Sequence, residues 1–190
     1  MQDLQAPEKI FRWKVRDDDP NAVEILGVDA SVVQTDLTEL TIPRKIVGKR
    51  VAAIGAGAFY GCSSLTSVKF PRRLTKIGEG AFYKCSSLTP VKFPRRLRKI
   101  EKGAFGYCSS LTERRLPKWL TTIGERAFQG CSSLTSIDLP YGLSKIAKSA
   151  FDGVAKNCVF DVPEGTYAHR WAVENGYDVE IRRRDSKRKG

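Results

Sequence analysis

The chain is 190 residues long, enough for one domain with a sizeable core. Its 41% apolar and 28% charged residues are ordinary for a soluble globular protein, and no apolar run approaches the ~20 residues that a membrane-spanning helix needs. A net charge of +12 is not ordinary, and five cysteines with one histidine, none closely spaced, exclude a complete intramolecular disulfide set and leave no metal or cofactor site to expect.

In chain order, residues 10–15 (IFRWKV) and 23–26 (VEIL) flank the turn-like DDDPN and predict a capping β-hairpin. Leu37 to Pro43 (LTELTIP) then reads as a first short strand closed by proline. The step from Pro43 to Ile54 is longer by five than the equivalent step from Pro71 to Ile77, and the extra positions, around Val47 to Arg50, predict a small hairpin.

From Ile54 the chain repeats. Blocks of equal length begin at Ile54, Ile77, Ile100, Ile123 and Ile146, and the first two differ at four positions only: Ala56/Glu79, Gly61/Lys84, Ser67/Pro90 and Thr75/Arg98. A fixed period in the range of about 20–29 residues with leucine-like spacing is the signature of a leucine-rich repeat. Leu65, Val68 and Phe70 follow the pattern L-x-x-L-x-L. The short strand alternates, so Val68 and Phe70 face inward and Lys69 outward. Pro71 lacks an N–H and ends the strand. Ala58 to Cys62 reads as one helical turn with Phe59 and Cys62 on one face, and Leu74 and Ile77 return the chain to the core. Stacking should bury Phe59, Phe82, Phe105, Phe128 and Phe151 as one column. Parallel strands are expected near residues 37, 65, 88, 111, 134 and 159. Block three places Arg114 where Val68, Val91 and Ile137 are inward; its stem should pack inside while its head reaches a rim or an acid such as Glu113.

The fifth block, from Ile146, has decayed. Thr166 is a candidate N-cap for a helix over Tyr167–Asn175, with Gly176 just past its end, and Tyr177–Ile181 suits a last strand. The chain thus divides into a capping module with a first strand coil (1–53), four regular repeats (54–145), a degenerate repeat with a C-terminal cap (146–181) and a basic tail expected to be disordered (182–190).

The motif I-G-x-x-A-F-x-x-C-S-S-L-T-x-V-x-F-P-x-x-L, as it stands from Ile54 to Leu74, resembles the BspA-like leucine-rich repeats, the 23-residue treponemal class. VEILG at 23–27, LTIP at 40–43 and GKRV at 48–51 resemble that family's opening module, and VPEGTYA at 162–168 its closing one. The resemblance covers roughly residues 10–181. Arg73 stands where other leucine-rich repeats carry Asn or Cys, and the cysteine precedes the strand, as in this class. The resemblance implies an α/β solenoid with one short parallel strand per coil, an N-terminal β-hairpin cap and a C-terminal helix and strand cap. It also implies a non-catalytic scaffold, exposed on or secreted from a microbial cell, that binds host matrix proteins or other cells. The opening residues show no apolar leader and no anchoring segment follows the repeats, so the chain reads as cytoplasmic if Met1 is its native start.

Charge is the individual feature. Residues 1–53 carry a net −1, residues 54–145 a net +11 and residues 146–190 a net +2. The outward strand position reads Thr41, Lys69, Lys92, Arg115, Asp138, Asp161. The turn after it reads Arg72-Arg73, Arg95-Arg96, Lys118-Trp119, Tyr141-Gly142. These residues predict a basic band over Lys69, Arg72, Arg73, Lys92, Arg95, Arg96 and Arg115, with Trp119 and Tyr141 at its margin. Two partners fit it: a protein engaged through the concave face, or a polyanion such as a sulfated glycan or acidic surface polymer. Nucleic acid would also suit the charge, but no nucleic-acid motif accompanies it. A duplicated, solvated surface without a partner accounts for the same charges. Cys62, Cys85, Cys108 and Cys131 are expected as buried thiols acting as small hydrophobes, although stacking brings neighbours within disulfide range. A Cys158–His169 pair could form a dyad, but a divergent cap with an exposed histidine explains both residues. No phosphate loop, nucleophile elbow or metal-spaced cluster appears.

Overall fold

The computed structural model describes residues 7–29, 37–89, 91–112 and 115–183. A short turn, α1 (Pro7–Ile10), enters an antiparallel hairpin of β1 (Phe11–Arg16) and β2 (Asp19–Val28). After β3 (Glu39–Thr41), a second hairpin joins β4 (Lys45–Ile46) to β5 (Lys49–Ile54) across Val47 and Gly48, whose φ angles of 48° and 72° make the turn type I′. The coils follow with β6 (Ser67–Lys69), β7 (Lys76–Ile77), β8 (Lys99–Ile100), β9 (Thr122–Ile123), β10 (Ser136–Asp138), β11 (Lys145–Ile146) and β12 (Val159–Pro163). Helix α2 (Tyr167–Glu174) and β13 (Asp178–Arg182) close the chain.

The phenylalanine column forms as the period requires. Phe59, Phe82, Phe105, Phe128 and Phe151 are fully buried, and successive rings stack at 5.2, 5.4, 5.7 and 5.2 Å. Each buried phenylalanine stabilises the stack by roughly 2 kcal/mol relative to exposure. Ile54, Ile77, Ile100, Ile123 and Ile146 form a second column, because they occupy paired positions in β5, β7, β8, β9 and β11. In each Lys-Ile or Thr-Ile pair the first residue faces water and the second the core, the period-2 rule at its shortest. With β1 and β2 at one end, these strands make a continuous sheet, β1-β2-β5-β7-β8-β9-β11. Ile77, which the repeat pattern places as a return to the core, lies in the longest sheet among the described residues.

The strand-side ladder is less regular than expected. β3 pairs with β6, and β10 with β12 and β13, all in parallel. Among the described residues, the two coils between them show only an Arg115–Asp138 bridge. One step loses a donor by sequence alone: Ser67 N donates to Thr38 O at 3.3 Å, whereas the equivalent residue one coil later is Pro90, which lies outside the described residues and has no N–H to give. Glu113 and Arg114 lie outside the described residues, and so does the expected snorkelling of Arg114.

The segment read as a helical turn is instead a run of tight turns. Tyr60 N and Cys62 N bond three residues back, to Gly57 O and Phe59 O at 3.1 and 3.4 Å. The alternate donors, on Gly57, Phe59 and Gly61, reach Glu79, Ala81 and Tyr83 carbonyls of the next coil at 2.8 Å each. Two of these five donors thus shape the coil and three join it to its neighbour, which an α-helix could not do.

The C-terminal cap matches the reading closely. Thr166 Oγ1 accepts from His169 N at 3.2 Å as N-cap. Gly176 N bonds Val173 O and Tyr177 N bonds Ala172 O, both at 3.0 Å, a Schellman ending. Tyr167 does more than begin the helix: its hydroxyl accepts from Ile146 N at 3.2 Å, sealing the edge of β11. Trp171 covers the end of the aromatic column, 5.9 Å from Phe151 and 6.2 Å from Phe160. Arg182, read as the start of the tail, belongs to β13; residues 184–190 lie outside the described residues.

Candidate functional site

The basic band is built by one device used four times. Leu74, Leu97, Leu120 and Leu143 are buried, and their N–H groups bond Pro71, Pro94, Pro117 and Pro140 carbonyls at 3.1, 3.0, 2.9 and 3.4 Å. Each bond closes a tight turn whose two central residues must point away from the core. Those residues are Arg72-Arg73, Arg95-Arg96, Lys118-Trp119 and Tyr141-Gly142, all exposed. Lys69 and Lys92 are exposed on the adjoining strand-side face. Among the described residues, none of Lys69, Arg72, Arg73, Lys92, Arg95 and Arg96 has an acidic partner within 4 Å.

The other expected members of the band have different settings. Arg115 Nε lies 3.6 Å from Asp138 Oδ2, and Arg182 Nε lies 2.9 Å from Asp161 Oδ1. Arg182 also donates to Leu139 O at 3.2 Å. The acids that end the outward row are therefore answered by cations, and among the described residues of the band Lys69, Arg72, Arg73, Lys92, Arg95 and Arg96, all on the first two coils, are the strand and Arg-Arg cations without an acidic partner. Tyr141 borders a recess with Arg115 and Asp138. Trp119 is half exposed, with Lys118 Nζ 5.2 Å and Arg98 5.7 Å from its ring, close enough for cation–π attraction to hold the indole in place.

Three features escaped the sequence reading. Arg44, Lys45 and Arg50, counted within a near-neutral opening module, line a recess together with Arg72 and Arg73. Only the hairpin between Pro43 and Ile54 could have hinted at this. On another side, Tyr60 stacks on Tyr83 at 5.3 Å, and Tyr107 meets Tyr83 edge-on at 5.4 Å. Tyr60 and Tyr83 occupy the same position of successive repeats, a visible signal, but Tyr107 is displaced by one position and hides the row. The cysteines, finally, are held by bonds and not by packing alone: Cys85, Cys108 and Cys131 thiols donate to Phe59, Phe82 and Phe105 carbonyls at 3.2, 3.1 and 3.2 Å. Burial pushes the thiol of Cys131 up to about 12 and that of Cys158 up to about 11. All five cysteines are free. His169 Nδ1 accepts from Gly165 N at 3.2 Å, and among the described residues no contact joins it to Cys158.

No group of three or more His, Cys, Asp and Glu side chains suited to a metal ion occurs among the described residues, and no helix there is long and apolar enough to cross a membrane. The family profile described as BspA type Leucine rich repeat region matches residues 30–159 in six copies. No curated protein matches the chain. A solved leucine-rich repeat protein of Bacteroides ovatus is 25% identical with a TM-score of 0.66; the match covers 81% of this chain and 45% of that one. The leucine-rich repeat protein of T. pallidum is 22% identical with a TM-score of 0.58, over 92% of this chain and 97% of that one. A protein of Faecalibacterium prausnitzii described as a leucine rich cell surface protein is 22% identical with a TM-score of 0.53, over 82% of this chain and 53% of that one. The chain thus spans about half the length of two of these three relatives.

Proposed function

Because the chain belongs to the BspA-type leucine-rich repeat family, we propose that it is a binding scaffold, not an enzyme, that engages an acidic macromolecule through the band on its first two regular coils. The observation that carries the reading is the set of six exposed cations, Lys69, Arg72, Arg73, Lys92, Arg95 and Arg96, with no acid partner among the described residues, beside an end where Arg115, Asp138, Asp161 and Arg182 answer one another. Long-range attraction steers an acidic partner to such a patch, and paired guanidinium groups then offer forked hydrogen bonds to carboxylate, sulfate or phosphate. Trp119, pinned between cations, gives a rigid aromatic surface at the margin. The family and the cell surface protein of Faecalibacterium prausnitzii support a cell-surface setting and a protein partner.

A second reading, a linear polyanion, is favoured by the regular spacing of the charges. The Arg-Arg pairs recur in successive coils whose stacked rings are 5.2–5.4 Å apart, so a polymer with closely repeated anionic groups could meet them in series. Salt separates the two: binding that vanishes by moderate ionic strength belongs to the polyanion, and binding that persists to protein contacts. The test changes Arg72, Arg73, Arg95 and Arg96 to Ser, verifies folding by circular dichroism, and measures retention on a heparin column and on acidic matrix proteins. Markedly earlier elution or lost capture is expected. A variant that elutes with the parent on every matrix shows the band to be a solvated surface.

A further inference from the structure

Where the second hairpin meets the first regular coil, Arg44, Lys45, Arg50, Arg72 and Arg73 surround a recess of about 320 Å3 floored by Pro71. Two different parts of the chain build it. Val51 N bonds Arg44 O at 3.0 Å, which fixes Arg44 and Lys45 at the root of the β4–β5 hairpin. The opposite wall is the Pro71-to-Leu74 turn, closed at 3.1 Å, which projects Arg72 and Arg73. Arg50 is steadied by an ion pair with Asp19, which stands outside the lining. Among the described residues no acid lines the recess, and Arg44, Lys45, Arg72 and Arg73 have no acidic partner there.

Like charges converging on one concavity repel one another until an anion enters, and four of the five are guanidinium groups, whose planar forks match the oxygens of a tetrahedral oxyanion better than an ammonium does. The volume is at the lower end of small-ligand pockets, roughly 300–1,000 Å3. The recess is open to solvent, so an anion seated in it can remain attached to a small polar body such as a hexose. We infer that this recess is a discrete site for a sulfate or phosphate monoester on a small polar body such as a hexose. It goes beyond the band: a polymer spread over Arg95 and Arg96 is not required to fill it.

The test is amide chemical-shift titration of the isotope-labelled full chain with glucose 6-sulfate, glucose 6-phosphate and glucose. Saturable shifts confined to residues 44–50 and 71–73 are expected for either or both esters, and none for glucose. A response to one ester alone supports the site and identifies the oxyanion it takes. Arg44→Ser and Arg72→Ser, both exposed and on opposite walls, should each weaken binding by about tenfold, the loss of one charge-assisted contact. The Arg95→Ser, Arg96→Ser double variant should bind the ester as the parent does while losing heparin retention, so failure of the band and failure of the recess are separable. Equal shifts with glucose, no saturable shift with either ester, or equal weakening by the double variant would overturn the inference.

Discussion

Cys85, Cys108 and Cys131 hold their protons because the fold gives a thiolate nothing to replace water, and each thiol instead donates to a phenylalanine carbonyl from the coil before. That makes stability depend on alkalinity. An unfolded thiol ionises near about 8.5, while the folded Cys131 thiol keeps its proton to about 12. The fold accommodates the neutral form, so the contribution is complete below the unfolded value and is lost as pH climbs from there toward the folded one. Each such thiol should cost about 1 kcal/mol per pH unit in that window. Melting temperatures of the parent and of Cys131→Ala, measured from pH 8 to 10.5, should converge as pH rises; parallel curves would refute the linkage. The burial of these residues was legible from their place in the repeat. The sulfur-to-carbonyl bonds were not, because they depend on which carbonyl the run of turns leaves pointing inward.

At the scale of elements, the β4–β5 hairpin shows a local conflict. Its type I′ turn puts Val47, exposed and β-branched, at a φ of 48°, a conformation for which asparagine is far better suited. Val47→Asn should therefore stabilise the chain by about 1 kcal/mol, read as a higher urea midpoint with an unchanged slope; a lower midpoint would mean that Val47 makes a contact that outweighs its strain. The lengthened step after Pro43 exposed this hairpin in the sequence, and the hairpin at 11–28 and the cap at 167–181 were equally plain, since turn residues, N-cap and Gly176 act locally. What the sequence did not reveal was the division of labour among strands. Two-residue Lys-Ile strands are too short to show a period, yet they form the continuous sheet. Among the described residues the L-x-x-L-x-L strand, with the clearest pattern, carries the less continuous ladder, and Pro90, which has no N–H to give, falls within its sequence.

For the molecule as a whole, the end of the stack decides whether the core is covered. Trp171 packs against Phe151 and Phe160 and stacks on Tyr177 at 5.4 Å. Trp171→Ala should destabilise by about 3–5 kcal/mol and promote self-association through the opened end; calorimetry and light scattering would detect both, and a change under about 1 kcal/mol, small for a buried aromatic, would show that α2 is not the essential cover. The candidate band was readable as far as Lys69 to Arg96, where repetition places side chains without further knowledge. Its closure by Arg182 on Asp161, and its extension to Arg44 and Lys45, depend on meetings between distant segments that no single repeat contains.

Along this face the interior coils present to the next coil the same donors, and to the preceding coil the same carbonyls, that their neighbours do: Phe59 N donates to Ala81 O, Phe82 N to Ala104 O, Phe105 N to Ala127 O and Phe128 N to Ala150 O, each at 2.8 Å. A coil is therefore interchangeable with the next. Gaining or losing one whole repeat at the Lys76–Ile77 junction leaves each flank facing a surface it already fits, and neither cap is disturbed. Chain length becomes a variable that duplication can change in whole steps without redesign of the core. Each added copy of the first or second block would bring one more lysine and two more arginines to the same line, so a lineage could adjust its grip on an extended partner by counting coils instead of reshaping one.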